Sequence, residues 1–324
     1  MTVTARIKTE TDHGTRGEFR ATLDLAHAGP AELEIRYEVA GPKDAPLLIV
    51  AGGISSGRHV IATAIDPTDG WWQSQSTTFR RYSLLSINWL GAHGELDRPI
   101  DPSDQAKAFL ATLDYLRLDH ATAFVGASYG AMVGMHCAAI APDRVPALLA
   151  ISAAHRSHPF ASAQRALQRQ AIELGERLGA PETGVALARK LAILTYRTPE
   201  EFAERFATPS AIEHGRARAS SEPYLDHMGE KHSAKMGAAA YRRLSESIDL
   251  HRIDPAAIAV PATFVAVDSD QLVPSADTAA LANAVWNARF VSIPSLYGHD
   301  AFLKEEHAIA AIIDNFLNSL EQPQ

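Results

Sequence analysis

Strand and helix signals alternate through most of the chain, and the sequence therefore predicts an α/β fold with a mostly parallel sheet, helices on both faces and an inserted helical lid. Three observations carry that expectation. Residues 47–51 (Leu-Leu-Ile-Val-Ala) are a continuous apolar run, as expected of a central strand buried on both faces. Residues 123–125 are a second such run and lead through Gly126-Ala127-Ser128-Tyr129-Gly130 into a helical pattern over 132–141, closed by Pro142. From 155 to 252 the alternation stops, replaced by long helical patterns rich in Ala, Gln, Glu, Arg and Leu with no convincing apolar strand. The expected division is a core of residues 1–154 and 253–324 and a lid of residues 155–252 over the carboxyl edge of the sheet, where such folds bind ligands.

The elements follow in order. Residues 1–18 show no periodicity and read as an extended lead-in, whereas 19–25 and 33–39 alternate apolar and polar positions around Ala28-Gly29-Pro30, an edge hairpin. After the 47–51 strand comes Gly52-Gly53-Ile54-Ser55-Ser56-Gly57. It lacks the Gly-Lys-Ser/Thr ending of a phosphate loop, and beside a serine turn it fits better as a source of backbone N–H groups for an oxyanion, with Gly53 as the chosen donor. Asp69-Gly70-Trp71-Trp72 reads equally as a packing anchor or a substrate contact. Residues 83–88 are the next strand, and the loop 89–99, with His93 and two acids, is a candidate rim of the site. Asp101-Pro102-Ser103-Asp104 is a helix start, and Phe109, Leu110, Leu113 and Leu116 give that helix its buried face. Strands over 148–152, 261–267 and 289–293 and helices from 275 and to 320 complete the core.

Composition narrows the function. A chain of 324 residues with a formal charge of −8 and no basic run argues against a nucleic-acid or anionic-membrane surface as main partner, which leaves a small molecule. The single cysteine, Cys137, precludes an intramolecular disulfide and reads as a buried structural thiol. His155 and His158 lack a third ligand at a workable spacing, so no metal is expected. Residues 1–20 hold no apolar segment of a leader and no run of about 18 apolar residues occurs, so a cytoplasmic protein is the expectation.

The chemistry resides in three separated positions. Gly-x-Ser-x-Gly between a strand and a helix is a nucleophile elbow, which projects Ser128 from the sheet and aims the N–H of Tyr129 at an incoming carbonyl oxygen. A serine hydroxyl is a weak nucleophile and needs a base held in the right tautomer by a third group. His299 supplies the base. Asp270 is the better third member, because Asp-x-Leu-Val-Pro puts it on the turn out of the strand while Asp268 belongs to the strand end. Ser, Asp, His is the order of the α/β-hydrolase fold's triad, and the triad alone serves esterase, peptidase, thioesterase and acyltransferase alike.

Several motifs in order resemble the MetX-type homoserine O-acyltransferases of the α/β-hydrolase superfamily. They are Gly-Trp-Trp at 70–72, the elbow through Met132, Ala188-Arg189-Lys190 with Thr195-Tyr196-Arg197, and Gly298-His299-Asp300-Ala301-Phe302-Leu303. The resemblance implies an acyl-Ser128 intermediate, Arg189 and Asp300 gripping an amino-acid acceptor, acyl-CoA as co-substrate with no bound cofactor, and a homodimer joined through the lid. Ala127 and Tyr129 depart from the family's usual Gly and Met, and the 88–94 loop lacks its Ser-x-Gly-Pro continuation. In that family the position two after the triad aspartate tends to be arginine in succinyl-CoA users and apolar in acetyl-CoA users. Leu272 stands there, so the resemblance leans to acetyl-CoA. A serine O-acyltransferase of the same family and a triad ester or amide hydrolase are the alternatives.

Overall fold

The computed structural model describes residues 6–11 and 14–321. The chain opens with strands β1 (Arg6–Thr11), β2 (Gly14–Leu25) and β3 (Gly29–Ala40), paired antiparallel. Phe19, Leu23, Leu25 and Ile35 are buried while their chain neighbours are more open, as the two-residue period of a half-covered sheet requires. Pairing extends from Gly14↔Ala40 to Leu25↔Gly29, well beyond the expected hairpin, so residues 14–18 are strand rather than lead-in. The charges that obscured the strand neutralise one another across it: Arg16 Nε lies 2.5 Å from the carboxylate of Glu38, which is 1% exposed.

The chain then follows the expected alternation through β4 (Leu47–Ala51), the single turn α1 (Ser76–Phe79), β5 (Ser83–Ile87), α2 (Pro102–Leu116), β6 (Ala123–Ala127), α3 (Tyr129–Ile140) and β7 (Leu148–Ile151). Helix α2 begins with a reciprocal cap: the Asp101 side chain accepts from Asp104 N at 3.3 Å, and the Asp104 side chain accepts from Asp101 N at 3.1 Å. Helix α3 begins immediately after Ser128, earlier than periodicity suggests, because the elbow itself supplies its first turn.

Between β7 and the core's return lie α4 (Pro159–Arg177), α5 (Pro181–Tyr196), α6 (Pro199–Arg205), strands β8 (Ala211–Glu213) and β9 (Arg216–Arg218), α7 (Glu222–Ser233) and α8 (Ala238–Leu250). A backbone bridge between Arg156 and Arg252 ties entry to exit. The expectation of helices alone needs correcting, because β8 and β9 form a small hairpin turning through His214 and Gly215, both at positive φ. Five of its six strand residues are exposed, so it carries no apolar signature.

The core closes with β10 (Ala262–Val267), α9 (Ser275–Ala284), β11 (Ala288–Ile293), the turn α10 (Ala301–Lys304) and α11 (Glu306–Glu321). Among the described residues nine strands form one sheet in the order β1-β2-β3-β5-β4-β6-β7-β10-β11, with β5 onward mutually parallel. Phe109, Leu113 and Phe124 belong to the core on one face, and Leu48, Val125, Ile313 and Phe316 to that on the other. Strand β4 is followed by β5 on one side and β6 on the other, so the carboxyl ends of β4 and β6 flank a topological switch point. Among the described residues no helix is long and apolar enough to cross a membrane.

Candidate active site

Ser128 stands at the switch point with φ 55° and ψ −120°, a conformation that costs a non-glycine residue about 1–3 kcal/mol. The surrounding backbone imposes it. A Cβ on Gly126 would lie 2.5 Å from Gly130 O, and one on Gly130 would lie 2.2 Å from Ala51 O, so side chains at either position would push strand and helix apart. Gly130 N donates to Gly52 O at 2.8 Å, which draws the glycine-rich loop against the elbow.

The three predicted triad positions meet. Ser128 Oγ is 2.7 Å from His299 Nε2, and His299 Nδ1 is 2.7 Å from Asp270 Oδ2. A carboxylate only accepts, so Nδ1 carries the proton and the lone pair of Nε2 faces the serine. Asp270 is held in turn by the N–H groups of Leu272 (2.8 Å) and Val273 (3.0 Å) on its other oxygen. The rival Asp268 bonds the hydroxyl of Ser292 instead. Burial favours neutral His299, yet its pKa lies above the ordinary histidine value because the charge and hydrogen bond of Asp270, with Asp300 behind, outweigh burial; Arg165 acts the other way.

The N–H of Tyr129 is the first of α3, where no carbonyl of the same helix can reach it. Gly53 lines the cavity above Ser128, and its carbonyl is fixed by Ser56 N (2.9 Å), Ser56 Oγ (2.7 Å) and Trp89 Nε1 (3.0 Å). The loop 89–99 therefore acts differently from expectation. None of it lines the cavity; Trp89 braces Gly53 and packs edge-on against the Tyr129 ring at 4.8 Å, and Asp97 reaches Arg243 of the lid. His93 bonds Asn88 at an exposed position. The two tryptophans divide the readings offered for them. Trp72 is fully buried and donates to Phe302 O at 3.0 Å, anchoring the segment after His299, whereas Trp71 lines the cavity.

The cavity is about 210 Å³ and is roofed by the lid. Arg189 and Asp300 both line it, together with Ser128 and His299. The Arg189 guanidinium lies 5.2 Å from the Tyr196 ring centroid and forms no ion pair among the described residues; its buried Nε has no partner there. Asp300 has a partner that sequence reasoning did not assign: Arg197 Nε is 2.9 Å from Oδ2, and Arg197 also pairs with Glu201. Tyr196 stacks on the His299 ring at 6.0 Å, so the end of α5 roofs the base. A buried cation at Arg165 also lines the cavity and was missed. Its signal was available, since Ala161, Arg165, Gln168 and Ile172 share the buried face of α4 at helical spacing and arginine is foreign to such a face.

Two other predicted positions have structural surroundings. Cys137 is fully buried, and burial raises its thiol far above the ordinary range. His158 caps α4 by accepting from Phe160 N at 3.3 Å. Among the described residues no group of three or more His, Cys, Asp or Glu side chains is placed to hold a metal ion.

This arrangement can open an acyl compound at Ser128 and hold an amino acid beside the resulting ester. The chain is similar to known proteins over most of its length. Residues 46–306 match the family profile described as alpha/beta hydrolase fold. A homoserine O-succinyltransferase from Xanthomonas campestris pv. campestris is 46% identical, over 98% of this chain and 88% of that protein. A homoserine O-acetyltransferase from Thermus thermophilus is 32% identical over 88% of this chain and 86% of that one. The crystal structure of homoserine O-acetyltransferase from Bacillus anthracis superimposes with a TM-score of 0.85 at 15% identity, covering 95% of this chain and 98% of that one, a likeness of fold.

Proposed function

Because the chain is an acyltransferase belonging to the MetX-type homoserine O-acyltransferases of the alpha/beta hydrolase family, we propose that it transfers an acyl group from acyl-CoA to the hydroxyl of homoserine by way of an acyl-Ser128 ester. The observation that carries the reading is the presence of both Arg189 and Asp300 in the lining of the cavity that holds the Ser128–His299–Asp270 relay. An amino acid presents one carboxylate and one ammonium group. Arg189, without a carboxylate partner among the described residues, suits the first, and Asp300 suits the second.

The reaction runs in two balanced halves. Ser128 Oγ attacks the thioester carbonyl as His299 Nε2 takes its proton, the oxyanion rests on the N–H groups of Tyr129 and Gly53, and the C–S bond breaks with His299 returning the proton to the thiolate. Homoserine then gives its hydroxyl proton to His299 and attacks the ester; Ser128 leaves and recovers the proton. Acceptor held by both charges competes with water through positioning, which reaches effective molarities of about 10⁵–10⁸ M in well-oriented cases. Acyl-CoA is thus a co-substrate rather than a resident cofactor. As part of this reading the enzyme acts in the cytoplasm, in methionine biosynthesis.

Leu272, buried beside the cavity, supports an acetyl donor, while the 46% identical relative is named for succinyl transfer. The test of the transfer reading is thiol release from acetyl-CoA and from succinyl-CoA, each with homoserine, with serine and with no acceptor. Release that depends on homoserine is expected. Release independent of acceptor would make the protein a hydrolase, and dependence on serine would move it to the alternative acceptor.

The homodimer belongs to the same reading, and the lid supports it. Phe160, Leu167 and Leu174 recur at intervals of seven on α4, with Leu178 beyond, and Leu187, Leu191 and Leu194 lie on α5; all are exposed, Leu178 by 73%. Replacing Leu174 and Leu178 together by Glu is expected to halve the mass measured by light scattering in solution. An unchanged mass would place the interface elsewhere.

A further inference from the structure

Tyr129 enters the chemistry through its backbone N–H, but its side chain is engaged elsewhere. The ring is fully buried and its hydroxyl lies 2.7 Å from Ser247 Oγ, on a residue of α8 that is itself fully buried. The elbow of the core and a helix of the lid, 118 residues apart in sequence, are thus joined by a hydroxyl pair that solvent does not reach. Gln105 of α2 lends the Tyr129 hydroxyl a further hydrogen bond, and both backbone groups of Leu90 hold Gln105, its Oε1 accepting from Leu90 N at 2.9 Å and its Nε2 donating to Leu90 O at 3.2 Å. Trp89 packs edge-on against the same ring while it bonds Gly53 O, so the two oxyanion donors and the foot of this strut share one brace. Burial holds the Tyr129 hydroxyl protonated far above its ordinary range, and the pair therefore persists through the interval in which His299 titrates.

Helix α8 presents Tyr241, Ser245 and Ile248 to the cavity and turns Ser247 to the elbow. It also carries its neighbour α4: Tyr241 donates to Gln168 at 3.0 Å, Arg169 donates to Ser245 Oγ at 2.9 Å, and Asp249 receives Arg165 and Arg169 at 2.7 Å each. What fixes α8 over Ser128 therefore fixes much of the roof. The ion pair from α8 to the core, Arg243 with Asp97 at 2.8 Å, uses a carboxylate that is 61% exposed, where water screens it. The buried hydroxyl pair is of another kind. Tyrosine is a stiff rod with two side-chain torsions, so a hydrogen bond at its tip admits one register of α8, and parting the two hydroxyls in a dry interior leaves polar groups unsatisfied.

Building on the transfer reading above, we infer that the Tyr129 hydroxyl and Ser247 are positioning residues for the second half-reaction: they hold α8 closed over acyl-Ser128 and so determine whether the acyl group passes to the acceptor or to water. Both outcomes balance. The acceptor or a water molecule gives one proton to His299 and attacks the ester carbonyl; the bond to Ser128 Oγ breaks, Oγ recovers the proton, and the product is the acylated acceptor in one case and the free acid in the other. The triad and the oxyanion donors serve the two equally. The choice therefore rests on what stands beside the ester. Arg189 and Asp300 bring the acceptor there, and the strut keeps the roof in the register that separates the ester from bulk water. Its effect passes through Tyr241, Ser245 and Ile248 of the cavity wall.

The test is the fraction of the acyl group that leaves as free acid rather than as O-acylhomoserine, at saturating homoserine, with acetyl-CoA and with succinyl-CoA. It is measured in the unaltered enzyme and in Tyr129→Phe, Ser247→Ala, the two combined, Ser247→Thr and Asp97→Asn. This fraction does not depend on how fast Ser128 is acylated. Each single loss of a hydroxyl is expected to raise it about tenfold, the equivalent of one buried hydrogen bond. The combined variant is expected to do no more than either alone, because both changes break the same contact, and Ser247→Thr, which keeps a hydroxyl, to stay within about threefold of the unaltered enzyme. Asp97→Asn, which weakens only the exposed tie, is expected to leave the fraction unchanged. The combined variant places two apolar groups at the contact and serves as the folded reference where a single variant does not fold. Thermal unfolding is recorded alongside: a lower midpoint with an unmoved fraction, or effects that add in the combined variant, overturns the inference while leaving homoserine acylation intact. Free acid alone from the unaltered enzyme, with homoserine present, instead overturns the transfer reading itself.

Discussion

Replacing Ser128 by Ala is expected to lower kcat for homoserine acylation by roughly 10⁴- to 10⁶-fold, with no loss of fold. The size of the effect follows from the place of the hydroxyl in the relay. With Oγ removed, His299 Nε2 has no nucleophile at 2.7 Å to deprotonate, and the acyl group has no atom of the protein to occupy between the two half-reactions. Direct attack of homoserine on the thioester would remain possible in the same cavity, since Arg189, Asp300 and the N–H donors stay in place. The residual rate therefore measures what positioning achieves without covalent catalysis. Circular dichroism and thermal unfolding of the variant verify the fold, and a fall of less than tenfold with the fold intact would mean that Ser128 is not the nucleophile.

Asp270→Asn is expected to cost about 10⁴-fold in kcat, by a different route. Asn can present its amide NH₂ to His299 Nδ1, which stabilises the tautomer with the proton on Nε2 and turns the base away from the serine. The backbone donors of Leu272 and Val273 now serve the carboxylate and would hold the amide oxygen in its place, favouring that unproductive orientation. The pH profile adds a second readout. The Asp270 charge raises the His299 pKa, so His299 is protonated and inactive as a base below a pKa that lies above the ordinary histidine value. Activity of the unaltered enzyme should accordingly rise with pH through that region, and the acid limb of the residual activity in Asp270→Asn should move to lower pH. A limb that stays in place would remove Asp270 from the relay.

The parts of this site that were legible in the sequence are those built from contiguous residues. Gly126 to Gly130 specifies the elbow because both glycines are required by backbone atoms of the same turn and of the adjacent strand, and Gly298 to Leu303 delivers histidine, aspartate and the Phe302 carbonyl that receives Trp72 in one short turn. The unbroken apolar run of β4 likewise has one reading in a sheet covered on both faces. What was hidden depended on partners distant in sequence. Residues 14–18 look like surface until Arg16 is matched with Glu38 across the strands. Arg197 is one charge among many until the fold brings Asp300 to it, and the 89–99 loop is seen as a brace only once Trp89 is found behind Gly53. The β8–β9 hairpin carries no apolar pattern because it covers nothing.

The account rests on an acyl group carried by Ser128 and surrendered to homoserine, and intact-protein mass spectrometry after mixing with acyl-CoA tests it most directly. With acceptor absent, the protein should gain the mass of one acyl group, located by peptide mapping to the segment containing Ser128, and homoserine should remove it within the dead time of the experiment while an equal concentration of glycine should not. No adduct on Ser128, or an adduct lost at the same rate with and without homoserine, would contradict the account.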